Sequence, residues 1–292
     1  MSDMGNGGSR VEVLIRALPH IQRYWGKTIV VKYGGNAMLS DELKAAVIQD
    51  VVLMTCVGVR TVLVHGGGPE IDAMLKRTGI ESRFVDGLRY TDGDTMEIVQ
   101  MVLCGKLNKD ITGLIQQAGG RAVGLCGIDG AMLKARRVGN GELGQVGEVE
   151  EVDGSVLNSA MDSGFIPVVS SVALDADGSG GAGRPLNVNA DIAAAKIAAA
   201  LSAEKLVLMT DVQGVLRDVG DPGSLIKSLT RAELDGLKRD GTISRGMIPK
   251  VDCCALALDG GVQKAHIIDG RVPHALLVEI FTDEGIGTML TV

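Results

Sequence analysis

An α/β fold, with a mainly parallel sheet covered by helices on both faces, is predicted by three features of this sequence. Strand-like runs alternate with helix-like segments from residue 28 onward. The strand runs are continuously apolar and β-branched, the pattern of strands buried on both faces. Two of them, Thr28 to Tyr33 and Thr61 to His65, end in glycines (Gly34-Gly35 and Gly66-Gly67-Gly68) and lead into helical segments.

The elements follow in chain order. The first ten residues are rich in Gly and Ser and are expected to lack fixed structure. Ser9-Arg10-Val11-Glu12 then has the form of a capping box. Val11, Leu14, Ile15, Leu18 and Ile21 recur at helical spacing, so an amphipathic helix is expected over 9–25, kinked at Pro19. Its apolar face can pack on its own core or reach a partner. Strands are expected at 28–33, 60–65, 121–126, 166–172, 205–210 and 263–269. Helices are expected at 41–57, 69–78, 94–118, 155–164, 189–202, 230–239, 247–260 and 273–280. Residues 129–153 break the alternation. Lys134–Val138 and Val146–Val152 are short pieces with Gly between them, which suggests hairpins. Asp177–Gly183 reads as a Gly-rich surface loop.

Composition narrows the function. The 292 residues suffice for one large α/β domain or two modest ones. Aromatics make up only 2%, so the core must be aliphatic, and base-stacking platforms for nucleic acid are not expected. A formal charge of −7 argues against a polyanionic partner. The five cysteines are odd in number and lack a C-x-x-C pair, which favours reduced thiols over a disulfide framework or zinc site. There is no apolar secretory core near Met1 and no apolar run of the ~20 residues that span a bilayer, so a cytoplasmic chain is expected.

Five motifs carry chemistry. The paired glycine loops let backbone N–H groups approach an anion at helix N-termini, with Lys32 at the mouth of the first. Either loop alone is also an ordinary strand-to-helix turn, and neither fits the Rossmann or P-loop spacing. Asn187-Val188-Asn189-Ala190-Asp191 opens an Ala-rich helix. One such side chain is a normal cap, but three exceed what capping requires. Gly246-Met247-Ile248-Pro249-Lys250 alone gives a surface lysine. Beside Lys32 and Asp191 it completes two cations around a carboxylate, a set suited to a phosphoryl group in flight. Asp211-Val212-Gln213-Gly214 follows a strand, where open α/β sheets bind ligands, or is a plain turn. Arg89, in Gly87-Leu88-Arg89, can clamp a carboxylate or lie on the surface.

In order along the chain, Lys32-Tyr-Gly-Gly, His65-Gly-Gly-Gly-Pro69, Gly87-Leu-Arg89, Asn187-Val-Asn-Ala-Asp191, Asp211-Val-x-Gly214 and Gly246-Met-x-x-Lys250 resemble the N-acetylglutamate kinases of the amino acid kinase family. The resemblance runs from about residue 10 to the C-terminus. It implies a three-layer αβα sandwich around a mainly parallel open sheet, and ATP-dependent phosphorylation of the γ-carboxylate of N-acetyl-L-glutamate in arginine synthesis. It further implies that 26–195 binds acetylglutamate and 196–292 binds ATP and arginine. Lys32 and Lys250 would stabilise the transferring group, and Asp191 would organise both. Gly34, Gly35 and Gly67 would donate N–H bonds to phosphate oxygens. Gly67, Gly68, Arg89 and Asn187 would hold acetylglutamate. Asp211, Gly214 and Leu216 would line the ATP site. Mg2+ would be held mainly through ATP phosphates, with no protein metal ligand.

Two features resemble the arginine-inhibited branch. One is the N-terminal helix, which there interlaces a homohexamer, a trimer of dimers; residues 1–25 are expected to serve that assembly. The other is the run through His266, Glu279 and Gly285, with Tyr24, which would receive L-arginine. Some members also bind a nitrogen-sensing signal protein, for or against which no motif here speaks. The alternatives are another amino acid kinase, acting on glutamate, aspartate or carbamate, and a non-catalytic arginine sensor.

Overall fold

The computed structural model describes residues 4–38, 40–85, 87–139, 141–176 and 183–292, without the side chains of 4–10, 36, 37 and 245. Except for Gly183, the Gly-rich loop expected at Asp177–Gly183 lies outside the described residues.

Helix α1 (Met4–Tyr24) leads into β1 (Thr28–Tyr33), α2 (Asp41–Cys56), β2 (Arg60–His65) and α3 (Gly68–Thr78). A two-stranded ribbon, β3 (Phe84–Val85) and β4 (Leu88–Arg89), precedes α4 (Gly93–Gln100) and α5 (Asn108–Gln117). Then come β5 (Ala122–Cys126), β6 (Leu133–Arg137), β7 (Val146–Val152), α6 (Ser155–Asp162), β8 (Ile166–Ser170), β9 (Val172–Asp175) and β10 (Pro185–Val188). The remainder is α7 (Ala190–Ala200), β11 (Lys205–Thr210), β12 (Ser228–Thr230), α8 (Leu234–Arg239), α9 (Ile248–Asp259), β13 (Lys264–Asp269), α10 (Ala275–Phe281) and β14 (Thr288–Thr291).

Among the described residues the main sheet runs β12-β14-β13-β11-β1-β2-β8-β5, and every pairing in it is parallel except β13 with β14. The central strand β1 feeds two cores. Val30 packs with α7 and α9 on one face, whereas Ile29 and Val31 pack with α2, α5 and α10 on the other. This period-2 alternation also sets the site, because Lys32 shares the parity of Val30 and therefore the α7–α9 face. The parallel, doubly covered sheet is as expected. The hairpin expected within 129–153 is present as antiparallel β6 and β7, and β9 and β10 close it into a small four-stranded barrel.

Several boundaries differ from expectation. The backbone is helical from Met4, so residues 4–10 are not without fixed structure, residues 1–3 lie outside the described residues, and Pro19 lies inside the helix. The helix expected at 94–118 contains a π-helical stretch, Met101–Leu107. The strand expected at 166–172 divides, with Ser170 ending β8 and Val172 starting β9. Helix α10 starts two residues late because His274 adopts a left-handed φ of 58°. Its imidazole Nδ1 lies 2.6 Å from Asp50, a fully buried carboxyl on α2 that burial pushes up to about 6.

Candidate active site

The first glycine loop follows β1. A Cβ on Gly34 would lie 2.8 Å from Lys32 Nζ, so the lysine tip occupies space that only glycine leaves open, and Gly35 takes a φ of +69° that favours glycine. The second loop follows β2. A Cβ on Gly67 would meet Leu107 Cδ2 at 2.6 Å and Leu103 Cδ2 at 2.8 Å, so both leucines press onto the loop backbone. At Gly66 a Cβ would come within 3.3 Å of Ala190 Cβ, which brings this loop against the start of α7.

His65 supports the second loop from behind. It is fully buried on the Leu63 face, Nδ1 is 2.8 Å from Gly66 O, and Nε2 is 3.2 Å from Asn108 Nδ2. A carbonyl can only accept, so the network assigns the proton to Nδ1 and lets Nε2 accept from Asn108. Burial lowers this imidazole to about 4, which keeps it neutral.

Asn189 is the cap of α7, accepting from Asp191 N at 2.8 Å and Ile192 N at 3.1 Å. The ordinary capping role therefore accounts for one of the three polar residues there. Asn187 instead donates to Thr91 Oγ1 at 3.1 Å, and Thr91 donates to Arg89 O at 2.8 Å. Asp191 projects to Lys32, with Oδ1 2.9 Å from Nζ, in an ion pair whose angles lie outside those of a hydrogen bond. The expected carboxylate between two lysines is not formed, because among the described residues Asp191 has an ion pair with Lys32 and none with Lys250. Lys250 stands in the first turn of α9. The charges of Asp191, Lys32 and Lys250 nonetheless all act on one buried thiol, Cys253.

Two cavities take up further expected site residues. One, of about 180 Å³, is lined by Gly67, Gly68, Arg89, Asn187 and Ala190 among others. Arg89 is buried under Phe84, with its guanidinium carbon 4.6 Å from the ring centroid. Its NH1 donates to Asp72 at 2.6 Å and to Ser82 at 2.5 Å, and its NH2 donates to Gly68 O at 3.3 Å. The hydrogen bond from Arg89 holds Asp72 below the usual carboxylate range. The second cavity, of about 300 Å³, is lined by Asp211, Gly214, Leu216 and Lys250, with Val212, Val215, Val219 and Met247 as apolar walls. Gly214 has φ +144°, and a Cβ there would meet Thr288 Oγ1 at 2.6 Å. Lys32, Gly34 and Gly35 line neither cavity.

A third cavity, of about 480 Å³, brings together Tyr24, His266, and Glu279 with Gly285, from three separate stretches of chain. Burial works against the charge of Glu279, but His266 Nδ1 at 2.6 Å, the Ile286 N–H at 2.9 Å and Lys205 Nζ at 3.4 Å outweigh it and hold the carboxyl low. Lys205 also lies 5.0 Å from the Tyr24 ring centroid.

Sequence reasoning missed His65 with Asn108, Asp72 with Ser82, Thr91, Lys205 and Cys253. Of these, His65 belongs to the second glycine motif and Thr91 closes the run Gly87-Leu88-Arg89-Tyr90-Thr91. The others carry no local signal, since each acts through a neighbour remote in sequence.

A model of the amino acid kinase family matches residues 27–269. An acetylglutamate kinase from Clostridium kluyveri is 55% identical over 280 residues, covering 96% of this chain and 97% of that one. One from Nostoc sp. is 55% identical over 282 residues, covering 97% and 93%. Among solved structures, N-acetylglutamate synthase from Neisseria gonorrhoeae, complexed with coenzyme A and N-acetyl-glutamate, matches with a TM-score of 0.83 at 26% identity. That match covers 97% of this chain and 63% of the synthase, so this chain spans under two thirds of its length. Carbamate kinase from Giardia lamblia bound to AMP-PNP matches with a TM-score of 0.67 at 16% identity, covering 91% and 98%, a likeness of fold.

Proposed function

This chain belongs to the amino acid kinase family, and we propose that it acts there as an acetylglutamate kinase, transferring the γ-phosphoryl group of ATP to the γ-carboxylate of N-acetyl-L-glutamate. The observation that carries this reading is the Lys32–Asp191 pair, 2.9 Å apart, at the start of the helix whose flanking Asn189 and Ala190 line the cavity holding Arg89, with Lys250 lining a second, largely apolar cavity. Acetylglutamate takes the first cavity. Its α-carboxylate meets the donors that Arg89 keeps free of Asp72, Ser82 and Gly68, and Asn187 takes the acetamido group. The adenine of ATP takes the apolar walls near Val212 and Leu216.

The phosphoryl group then lies over Gly34, Gly35 and Gly67, with Lys32 and Lys250 on either side. Both carboxylate and phosphate are anions, so the first task is to offset their repulsion, and the second is to stabilise charge on the equatorial oxygens as they spread. Asp191 fixes the Lys32 ammonium in place so that little reorganisation accompanies transfer. Mg2+ would arrive with the nucleotide on its phosphates, since the carboxylate at the centre, Asp191, already serves Lys32.

A coupled assay of ATP turnover, with trapping of the acyl phosphate by hydroxylamine, tests this. Turnover with N-acetylglutamate and little with free glutamate is expected. Equal or greater turnover of free glutamate would overturn the substrate assignment.

A regulatory role rests on the third cavity. L-Arginine would bind there with its guanidinium on Glu279 and its carboxylate toward Lys205. Exposed Val13, Leu14, Ile15 and Leu18 on α1 support its role in joining dimers into a hexamer. The division into an acetylglutamate lobe (26–195) and an ATP lobe (196–292) belongs to the same proposal.

A further inference from the structure

We infer that Cys253 is a positioning residue that sets the register between the two helices carrying Asp191 and Lys250, stopping one from sliding along the other; the inference rests on the kinase reading above. Its thiol is fully buried and donates to the backbone carbonyl of Asp191, with Sγ 2.9 Å from the oxygen. Asp191 stands in the first turn of α7, whereas Cys253 stands one turn after Lys250 on α9. Residues three apart share a helix face, so the thiol and the Lys250 side chain leave α9 on the same side. A single hydrogen bond therefore ties the Lys32 partner to the helix bearing the second cation. It also crosses the proposed boundary between the two lobes.

The surroundings make this the specific tie between the helices at that end. The buried residues that α7 and α9 contribute to their shared core are mostly small and apolar, among them Ala194, Ala195, Ala198, Cys254 and Ala257. At the far end a Cβ on Gly260 would lie 2.6 Å from Ala199 Cβ, so the helices are nearly in contact there. Dispersion across such a seam fixes the spacing of the helices but leaves them free to slide, because it has no direction. A hydrogen bond restores one direction, at the end where the charges sit. Burial and the neighbouring carboxylate keep the thiol protonated, so it remains a donor, and the lysines do not draw off its proton. Cys254 is just as buried but makes no hydrogen bond to Asp191, which supplies an internal control.

The test compares Cys253→Ala, Cys253→Ser and Cys254→Ala by steady-state kinetics and thermal melting. The alanine at 253 removes the donor, and kcat is expected to fall roughly five- to tenfold, the scale of one neutral hydrogen bond, with KM for acetylglutamate within about twofold. The serine restores a donor and should recover most of kcat. Cys254→Ala should lower the melting temperature without lowering kcat. Unchanged kcat in Cys253→Ala, no recovery in Cys253→Ser, or an equal kcat loss in Cys254→Ala would each overturn the assignment. Wild-type protein in the same assay tests the kinase reading separately: no turnover there sinks that reading, whereas active wild type with indifferent variants sinks only this inference.

Discussion

The Lys32 ammonium and the Asp191 carboxylate meet 2.9 Å apart although 158 intervening residues separate them, and the carboxylate oxygen has no aligned hydrogen bond of its own. The carboxylate thus holds the cation by charge, leaving the ammonium protons free for an incoming anion. Lys32→Ala or Asp191→Asn should lower kcat roughly 10²–10³-fold, the scale for losing one preorganised transition-state group. Near-wild-type kcat in either would remove the assigned role.

Gly34→Ala separates catalysis from folding. The new methyl would sit 2.8 Å from Lys32 Nζ, the far end of a flexible side chain, and the φ of Gly34 lies outside the left-handed region. The fold should accommodate the methyl by swinging the ammonium aside. The melting temperature should move by no more than ~2 °C while kcat drops by at least about tenfold. A large loss of stability with kcat intact would show that the glycine is there for the turn alone.

Acid should weaken the fold through His65. Burial lowers its folded-state pKa to about 4 from an ordinary 6.5. Between those values the unfolded chain binds a proton that the folded chain refuses. Stability therefore declines as pH falls from about 6.5 to about 4 and the loss then levels off, with a ceiling of ~3 kcal/mol. Asp50 acts in the opposite sense: its carboxyl, pushed up to about 6, takes a proton in the folded chain first and adds stability over the same descent. Urea unfolding of wild type and His65→Asn at about pH 7.5 and about pH 4.5 isolates the histidine. The variant should lose less stability than wild type on acidification, and equal losses would refute the buried neutral imidazole.

Glu279→Gln should abolish or weaken inhibition by L-arginine at least about tenfold while leaving uninhibited kcat within about twofold, since the carboxylate lies in the third cavity rather than beside Lys32. Dose–response curves check this. An unchanged arginine response would remove Glu279 from the effector site.

Deleting residues 1–25 should convert hexamers to dimers, read as mass by light scattering. Val13, Leu14, Ile15 and Leu18 on α1 are all exposed in the single chain, and a shared interface would cover them. A mass per particle unchanged apart from the deleted segments would assign assembly to another surface.

Periodicity and turn chemistry are local, so the sequence by itself determined the alternation of strand and helix, the glycine loops after β1 and β2, and a polar cap within Asn187–Asp191. Its ordered motifs were also enough to nominate Lys32, Asp191, Lys250, Arg89 and Asn187. What it mis-set were places where backbone conformation answers to remote packing. The π-helical stretch carries Leu103 and Leu107 onto Gly67, and the left-handed His274 meets Asp50 across two helices. The short strands β9 and β10 have too few residues to show a period, and they exist because β6 and β7 offer them edges.

Only the tertiary structure decided which groups touch. It turned Lys32 toward α7 through the parity of β1, paired Asp191 with one lysine rather than two, set Asp72 and Ser82 behind Arg89, and put the Cys253 thiol on the Asp191 carbonyl. These are contacts between residues far apart in the chain. Their energies depend on distance and burial after folding, and no local spacing encodes either.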